Sequence, residues 1–297
     1  MILDQNKHTK RFGLIGSPIG HSLSPALFNA AYGGKYSYDL IEEAGFKESI
    51  VRFLSDYDGI NVTSPYKRLA FEEADTYDDV VRRIGAANIL MKNEDESITA
   101  ANSDYAGLRM VLGDHFEIED NEAGAEKIRT LVIGCGGAGM AAACASADLG
   151  METVIVNRTQ AAVERFVSRP GNGNIIPGKM HDLEHLMEES HLIIYTVPVV
   201  MEEIRKMPKR FFTGKSIFEA NYANPSFSRQ FRGLTFSNGL LSLKKDSIWM
   251  PQRCYYLSGK VWLLAQAITG FRILTGERPD EAAMLKAASE TKKTTDF

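Results

Sequence analysis

Three cysteines in 297 residues, Cys135, Cys144 and Cys254, form no CxxC pair and cannot all be joined to one another. That excludes a disulfide framework and suits a reducing compartment, the cytoplasm. No uninterrupted apolar stretch approaches the roughly 20 residues of a spanning helix. The opening MILDQNKHTKRF has no apolar h-region, so neither membrane insertion nor export is expected. Basic residues are scattered and the formal net charge is −4, which leaves no large positive field. Nucleic acid and membrane are therefore not expected as partners, and any anionic ligand has to be met by a few placed groups. There is no solenoid repeat, low-complexity tract, G-x-S-x-G elbow or Walker lysine, so repeat, hydrolase and kinase readings lose their usual support.

What is present is an ordinary globular composition, 44% hydrophobic and 24% charged, in a chain long enough for two cores. RFGLIG (11–16) reads as a buried strand, and SPALFNAAY (24–32) as a helix capped by Ser24 with Pro25 at its first position. YSYDLIE (36–42), DGINVT (58–63) and AANILMK (86–92) continue the strands, with YKRLAFEEAD as a helix between the last two. The alternation predicts a parallel or mostly parallel sheet. After a helix at 103–116, the acidic stretch EIEDNEAGAEK marks a domain boundary.

A second α/β series follows, with strands at 129–134, 151–157, 191–197 and 215–221 and helices near 138–149, 160–168 and 182–190. This is the spacing of a doubly wound nucleotide-binding domain. The segment 225–258 shows no clear period. An apolar helix at 260–276 ending on Gly276, and a last amphipathic helix, close the chain.

TLVIGCGGAG places Gly134, Gly136 and Gly139 as G-x-G-x-x-G directly after a strand and at the opening of an Ala-rich helix. Glycine permits the tight turn and lets the backbone approach a pyrophosphate, whose charge meets the free N–H groups of the helix. Where an NAD site carries Asp or Glu at the end of the second strand, this chain has Asn157 and Arg158. A neutral amide and a planar guanidinium favour the 2′-phosphate of NADP.

In the first half, Ser22 and Ser24 stand two apart at a strand-to-helix turn, where the hydroxyls could hold a carboxylate or Ser24 could serve only as a cap. Asn61, Thr63 and Lys67 follow one strand, and Asn102 with Asp104 another. Taken alone, Lys67 reads as a surface charge; opposite an aspartate, it is an acid/base pair for a carbonyl or alcohol oxygen. His21 reads as structural. His181 and His185, an i, i+4 pair with no third ligand, read as surface.

With these residues in hand, the chain resembles the shikimate dehydrogenase family over nearly its whole length. GSPIGHSLSP, GINVTSPYK, GAANIL, NSDYAG, VIGCGGAG, VNRT, NYANP and GKVWLLAQAITGFRILTG occur in family order. The resemblance implies NADP-dependent, reversible reduction of 3-dehydroshikimate to shikimate. It implies an N-terminal α/β substrate domain with a mostly parallel sheet (1–105, completed by C-terminal helices at about 262–297) and a C-terminal NADP-binding Rossmann domain (106–261). It makes Ser22 and Ser24 carboxylate binders, and Asn61, Thr63, Asn88, Asp104, Tyr222 and Gln266 contacts to the ring and its hydroxyls. Lys67 becomes the general acid/base, paired with Asp104.

On the cofactor side the resemblance assigns the pyrophosphate to Gly134, Gly136, Gly137, Ala138 and Gly139, and the 2′-phosphate to Asn157, Arg158 and Thr159. The backbone at Ala220 and Gly259 would meet the nicotinamide, and hydride would pass to C3 of the substrate across the interdomain cleft. Departures from the family pattern are Ser103 and Ile89 at positions usually Thr, Glu219 and Asn221 in FEANY, and a longer stretch before Gly259. Quinate, with one more ring hydroxyl, is the alternative substrate, and a non-catalytic ligand-binding homologue the alternative of another class. Trp249 and Trp262 suit either a core or an interface, so a monomer or a homodimer is expected.

Overall fold

RFGLI forms β1 (Arg11–Ile15), flanked in parallel by β2 (Ser37–Ile41) and β3 (Gly59–Val62). The computed structural model describes residues 9–118, 128–222, 225–226 and 255–290. The expectations for 225–258 and Trp249 fall almost entirely outside these residues. The chain divides into two units, one within Met1–Val81, Gly85–Asn102 and Ala267–Phe297, the other within Arg82–Ile84 and Ser103–Gln266.

In the first unit, β4 (Thr76–Tyr77), β5 (Ile89–Lys92) and β6 (Ile98–Ala101) complete a six-stranded sheet in the order β2-β1-β3-β5-β6-β4. Its helices are α1 (Ser24–Tyr32), α2 (Phe46–Asp56) and α3 (Lys67–Glu73), and α4 (Asp79–Ile84) starts in it and ends in the second unit. The sheet is more mixed than the alternation suggests, since β5 runs antiparallel to both β3 and β6. β5 and β6 form a hairpin, which reverses direction without a crossover, and ITAA is too short to announce β6. Ile15, Phe53, Ile60, Val62 and Leu90 build the core beneath. A side chain the size of Phe53, fully buried here, contributes about 1.5–3 kcal/mol.

Ser24 does not cap α1. Leu23 holds the cap position with helical backbone angles and no capping side chain, and Ser24 is already in the helix. The Ser22 hydroxyl instead accepts the Ser24 N–H at 3.2 Å.

The second unit contains α5 (Ser103–Phe116) and a sheet whose neighbours all pair in parallel: β7 (Arg129–Ile133), β8 (Glu152–Val156), β9 (Ile175–Pro177), β10 (Leu192–Tyr195), β11 (Ser216–Glu219) and β12 (Tyr255–Leu257). Between strands lie α6 (Gly137–Asp148), α7 (Gln160–Val167), α8 (Leu183–Glu189) and α9 (Glu202–Lys206). The order β12-β11-β10-β7-β8-β9 reverses at β7, which is the doubly wound arrangement with its ligand crevice at the carboxyl end of β7.

α10 (Gly259–Thr275) ends with left-handed Gly276, whose N–H reaches Arg272 O, as the terminal glycine predicts. Trp262 is buried, its indole N–H donating to Asp104 O at 2.9 Å, so this tryptophan serves a core. α11 (Glu281–Glu290) joins the first unit, where Asp280 N–H donates to Ala31 O and Phe271 packs on Phe28 at 4.9 Å between centroids. Among the described residues no helix is long and apolar enough to cross a membrane.

Candidate active site

The antiparallel hairpin decides what stands beside the end of β3. Asn61 pairs with Ile89 and Ile89 with Ala101, so the start of β5 and the end of β6 lie next to the carboxyl end of β3. Three buried asparagines gather there. Asn88 O accepts from Val62 N–H at 2.8 Å and from Asn61 Nδ2 at 3.3 Å, while Asn102 Nδ2 donates to Ala86 O at 2.8 Å. Ile89 is wholly buried, so the position that lacks the family's hydroxyl serves the core.

The loop after β3 is tied to the loop after β1. Thr63 N–H donates to Ile15 O at 2.9 Å and Ser17 N–H to Ser64 O at 3.2 Å. Further along the β1 loop, Ser22 Oγ donates to Ser24 Oγ at 3.1 Å, so two hydroxyls stand side by side as a carboxylate would need. Lys67, half-buried, opens α3, and its carbonyl accepts the Ala87 N–H at 2.8 Å. Ser22, Ser24, Asn61, Thr63, Lys67 and Asn88 thus belong to the loops and strand ends of one sheet edge. His21 is exposed there, and His181 and His185 are exposed beside Asp182 and Glu189.

One member of this edge escaped the sequence reading. Tyr38 pairs with Phe12 in β1, and Leu14 pairs with Asn61, so Tyr38 and Asn61 share a face of the sheet from strands two apart. The Tyr38 hydroxyl lies 2.8 Å from Asn61 Oδ1. The available signal was a tyrosine at an inward position, whose polar tip must find a partner when buried.

In the second unit, Asp104 sits buried in the first turn of α5, where the positive end of the helix dipole favours a carboxylate. Gln266 belongs to the same cluster, since Ser103 Oγ donates to Gln266 Oε1 at 3.2 Å and Trp262 fixes the Asp104 carbonyl.

The cofactor residues fall where β7 meets α6. Gly136 precedes the helix in extended conformation, Gly137 begins it, and Ala138 and Gly139 complete its first turn with N–H groups that lack intrahelical partners. Gly134 has φ +109, and a Cβ there would lie 2.4 Å from Thr196 Oγ1; a Cβ on Gly139 would lie 2.0 Å from Gly134 O. This glycine cradle fits a dinucleotide pyrophosphate. At the end of β8, Asn157 Oδ1 accepts from Cys135 N–H at 3.3 Å, Arg158 is exposed, and Thr159 leads into α7 without spending its side chain on a cap. With no carboxylate on these three residues and a guanidinium beside them, the donor set fits a 2′-phosphate. Burial pushes the Cys135 thiol up to about 11, so it is no nucleophile.

Ala220 and Gly259 meet: a Cβ on Gly259 would stand 2.4 Å from Ala220 O. Tyr222 is half-buried two residues beyond Ala220. Glu219, wholly buried, accepts from Tyr256 Oη at 2.7 Å and from the Ser226 N–H, so its carboxylate organises the end of β11.

A shikimate dehydrogenase substrate binding domain profile matches residues 14–90, and an alanine dehydrogenase/PNT C-terminal domain profile matches residues 121–209. The chain is 32% identical over 210 residues to the shikimate dehydrogenase (NADP(+)) of Halobacterium salinarum, covering 65% of this chain and 70% of that one. It is 28% identical over 298 residues to the enzyme of the same name from Methanosarcina mazei, covering 94% and 97%. Among solved structures, shikimate 5-dehydrogenase from Thermus thermophilus, in complex with NADP(H) and shikimate, has the same fold, with a TM-score of 0.72 at 24% identity over 95% of this chain and 99% of that one. Quinate dehydrogenase from Corynebacterium glutamicum, in complex with NAD, has a TM-score of 0.74 at 20% identity over 95% and 99%.

Proposed function

The chain belongs to the shikimate dehydrogenase family, and from that premise we propose that it catalyses the reversible, NADP-dependent reduction of 3-dehydroshikimate to shikimate. The observation that carries this reading is the sheet edge that gathers Ser22, Ser24, Asn61, Thr63, Lys67 and Asn88. That set offers paired hydroxyls for a carboxylate, amides and a hydroxyl for ring oxygens, and one amine for a proton.

The first unit supplies most of the substrate contacts and the second the cofactor site. Ser22 and Ser24 donate to the carboxylate. Asn61, Thr63 and Asn88 bond the ring hydroxyls, joined by Tyr222 and Gln266. In the reducing direction Lys67 delivers a proton to the C3 oxygen, and in the oxidising direction it takes that proton back. Asp104 orients the ammonium. The segment Gly134, Gly136, Gly137, Ala138, Gly139 receives the pyrophosphate at the start of α6. Asn157, Arg158 and Thr159 hold the 2′-phosphate, and the backbone of Ala220 and Gly259 lines the nicotinamide position. NADP held there would supply the chemistry of hydride transfer at C3. The enzyme works in the cytoplasm as a monomer or homodimer, a compartment that suits the free thiols of Cys135 and Cys144.

Spectrophotometric reduction of NADP⁺ with shikimate, against quinate and against NAD⁺, tests the reading. Turnover of shikimate with NADP⁺ is expected to dominate. Turnover of quinate alone would reassign the substrate, and binding of both ligands without turnover would reassign the chain as a binding protein.

A further inference from the structure

Resting on that reading, we infer that Tyr38 is a positioning residue of the substrate site, whose hydroxyl holds the Asn61 side-chain amide with its nitrogen kept for the ligand. The Asn88 carbonyl settles the orientation. An amide atom 3.3 Å from a carbonyl oxygen must be the nitrogen, because that oxygen can only accept. The Asn61 atom 2.8 Å from Tyr38 Oη is then Oδ1, which also only accepts, so the phenol is the donor. Of the two N–H bonds on Asn61 Nδ2, one serves Asn88 and one is left for a ligand oxygen. Asn61 therefore reads its ligand as a donor only, and the group opposite it must bring a lone pair.

The phenol is built to stay in this role. Its ring packs against Phe28 at 4.6 Å and Phe271 at 5.8 Å between centroids, so it has little freedom to swing away. Burial raises the Tyr38 pKa well above the ordinary 10, which keeps the donated proton in place across the working range of an enzyme. Tyr38 thus ties β2 to the asparagine edge two strands away.

Tyr38→Phe keeps the ring and removes the hydroxyl. In this variant KM for shikimate should rise about tenfold while kcat changes less than about threefold, as for an interaction made equally in ground and transition states. KM for NADP⁺ should stay that of the wild type, and the thermal midpoint should fall by only a few degrees, as for one buried hydrogen bond. In an Asn61→Ala background the same substitution should add less than about twofold, because the residue it acts through is gone. A KM within twofold of wild type, or an undiminished effect in the Asn61→Ala background, would overturn the inference. The Asn61 side-chain amide signals in a ¹H–¹⁵N spectrum, assigned by their loss in Asn61→Ala, give a readout free of turnover. They should be protected from exchange in the wild type and lose protection in Tyr38→Phe. If the wild type does not oxidise shikimate, the functional reading falls, and these signals still decide the role of Tyr38.

Discussion

The Lys67 carbonyl accepts the Ala87 N–H at 2.8 Å, so the first residue of α3 is rooted to the segment that leads into β5. The backbone root is fixed by that bond. In the proposed role, a proton donor so mounted would act on the reacting oxygen with little effect on how the carboxylate end is held. Lys67→Ala should lower kcat by about 10²-fold or more with a much smaller change in KM. Steady-state kinetics in both directions checks this; a raised KM with kcat preserved would make Lys67 a binding residue instead.

Arg158 is exposed just beyond β8, next to the neutral Asn157. Its guanidinium can meet a 2′-phosphate with two parallel hydrogen bonds, a contact NAD does not offer. Arg158→Ala should therefore weaken NADP⁺ binding by about 10-fold or more, the worth of a charge-assisted hydrogen bond, and leave NAD⁺ binding within about twofold. Titration calorimetry with the two cofactors separates the outcomes, and equal losses would remove Arg158 from the 2′-phosphate.

Strands β7, β8, β10 and β11 of the second sheet are legible in the sequence because they are apolar runs set off by glycine and helix-period segments, and β7, its glycine turn and α6 are contiguous; β9 and β12, three residues each, are too short to show a pattern. Asn61, Thr63 and Lys67 stand out for a related reason: polar groups just after a strand end are visible from the strand. That Asn102 gathers at the same edge as Asn61 is visible too, as two polar clusters that each follow a strand; the route is not, because it runs through an antiparallel β5 and through β6, four residues of ITAA. Tyr38 is hidden for a different reason. Its partner is two strands away, and only the register through β1 places both on one face. Ser24 shows the limit of local rules, since its neighbour Ser22, not its own hydroxyl, meets the start of α1.

Arg83 and Asp148 form a bidentate pair within the second unit, Nη1 to Oδ2 at 2.9 Å and Nη2 to Oδ1 at 2.8 Å. Tyr105 also donates to Asp148 at 2.8 Å, and Arg83 Nε donates to Asn172 Oδ1 at 3.2 Å. Removing the guanidinium leaves a mostly buried carboxylate short of two donors. Arg83→Ala should cost about 2–4 kcal/mol in urea unfolding. Arg83→Lys, which keeps the charge and loses the fork, should recover less than half of that. A cost below about 0.5 kcal/mol would class the pair with ordinary surface ion pairs.

His115 lies half-buried in the last turn of α5, its Nε2 2.8 Å from Ser216 Oγ and its ring against Phe116 and Tyr255. Burial holds its pKa below the ordinary 6.5, so the folded chain binds this proton less readily than the unfolded chain. The sign follows directly. Above pH 6.5 the imidazole is neutral in both states and costs nothing; as pH falls below 6.5 the unfolded state protonates first, and stability is lost until the folded pKa is reached. The loss from this one group is at most about 1.4 kcal/mol per pH unit. Urea midpoints at pH 7.5 and 5.5 should therefore differ more in the wild type than in His115→Gln, which keeps a hydrogen-bonding side chain and cannot take the proton. Equal differences in the two proteins would assign the acid sensitivity to other groups.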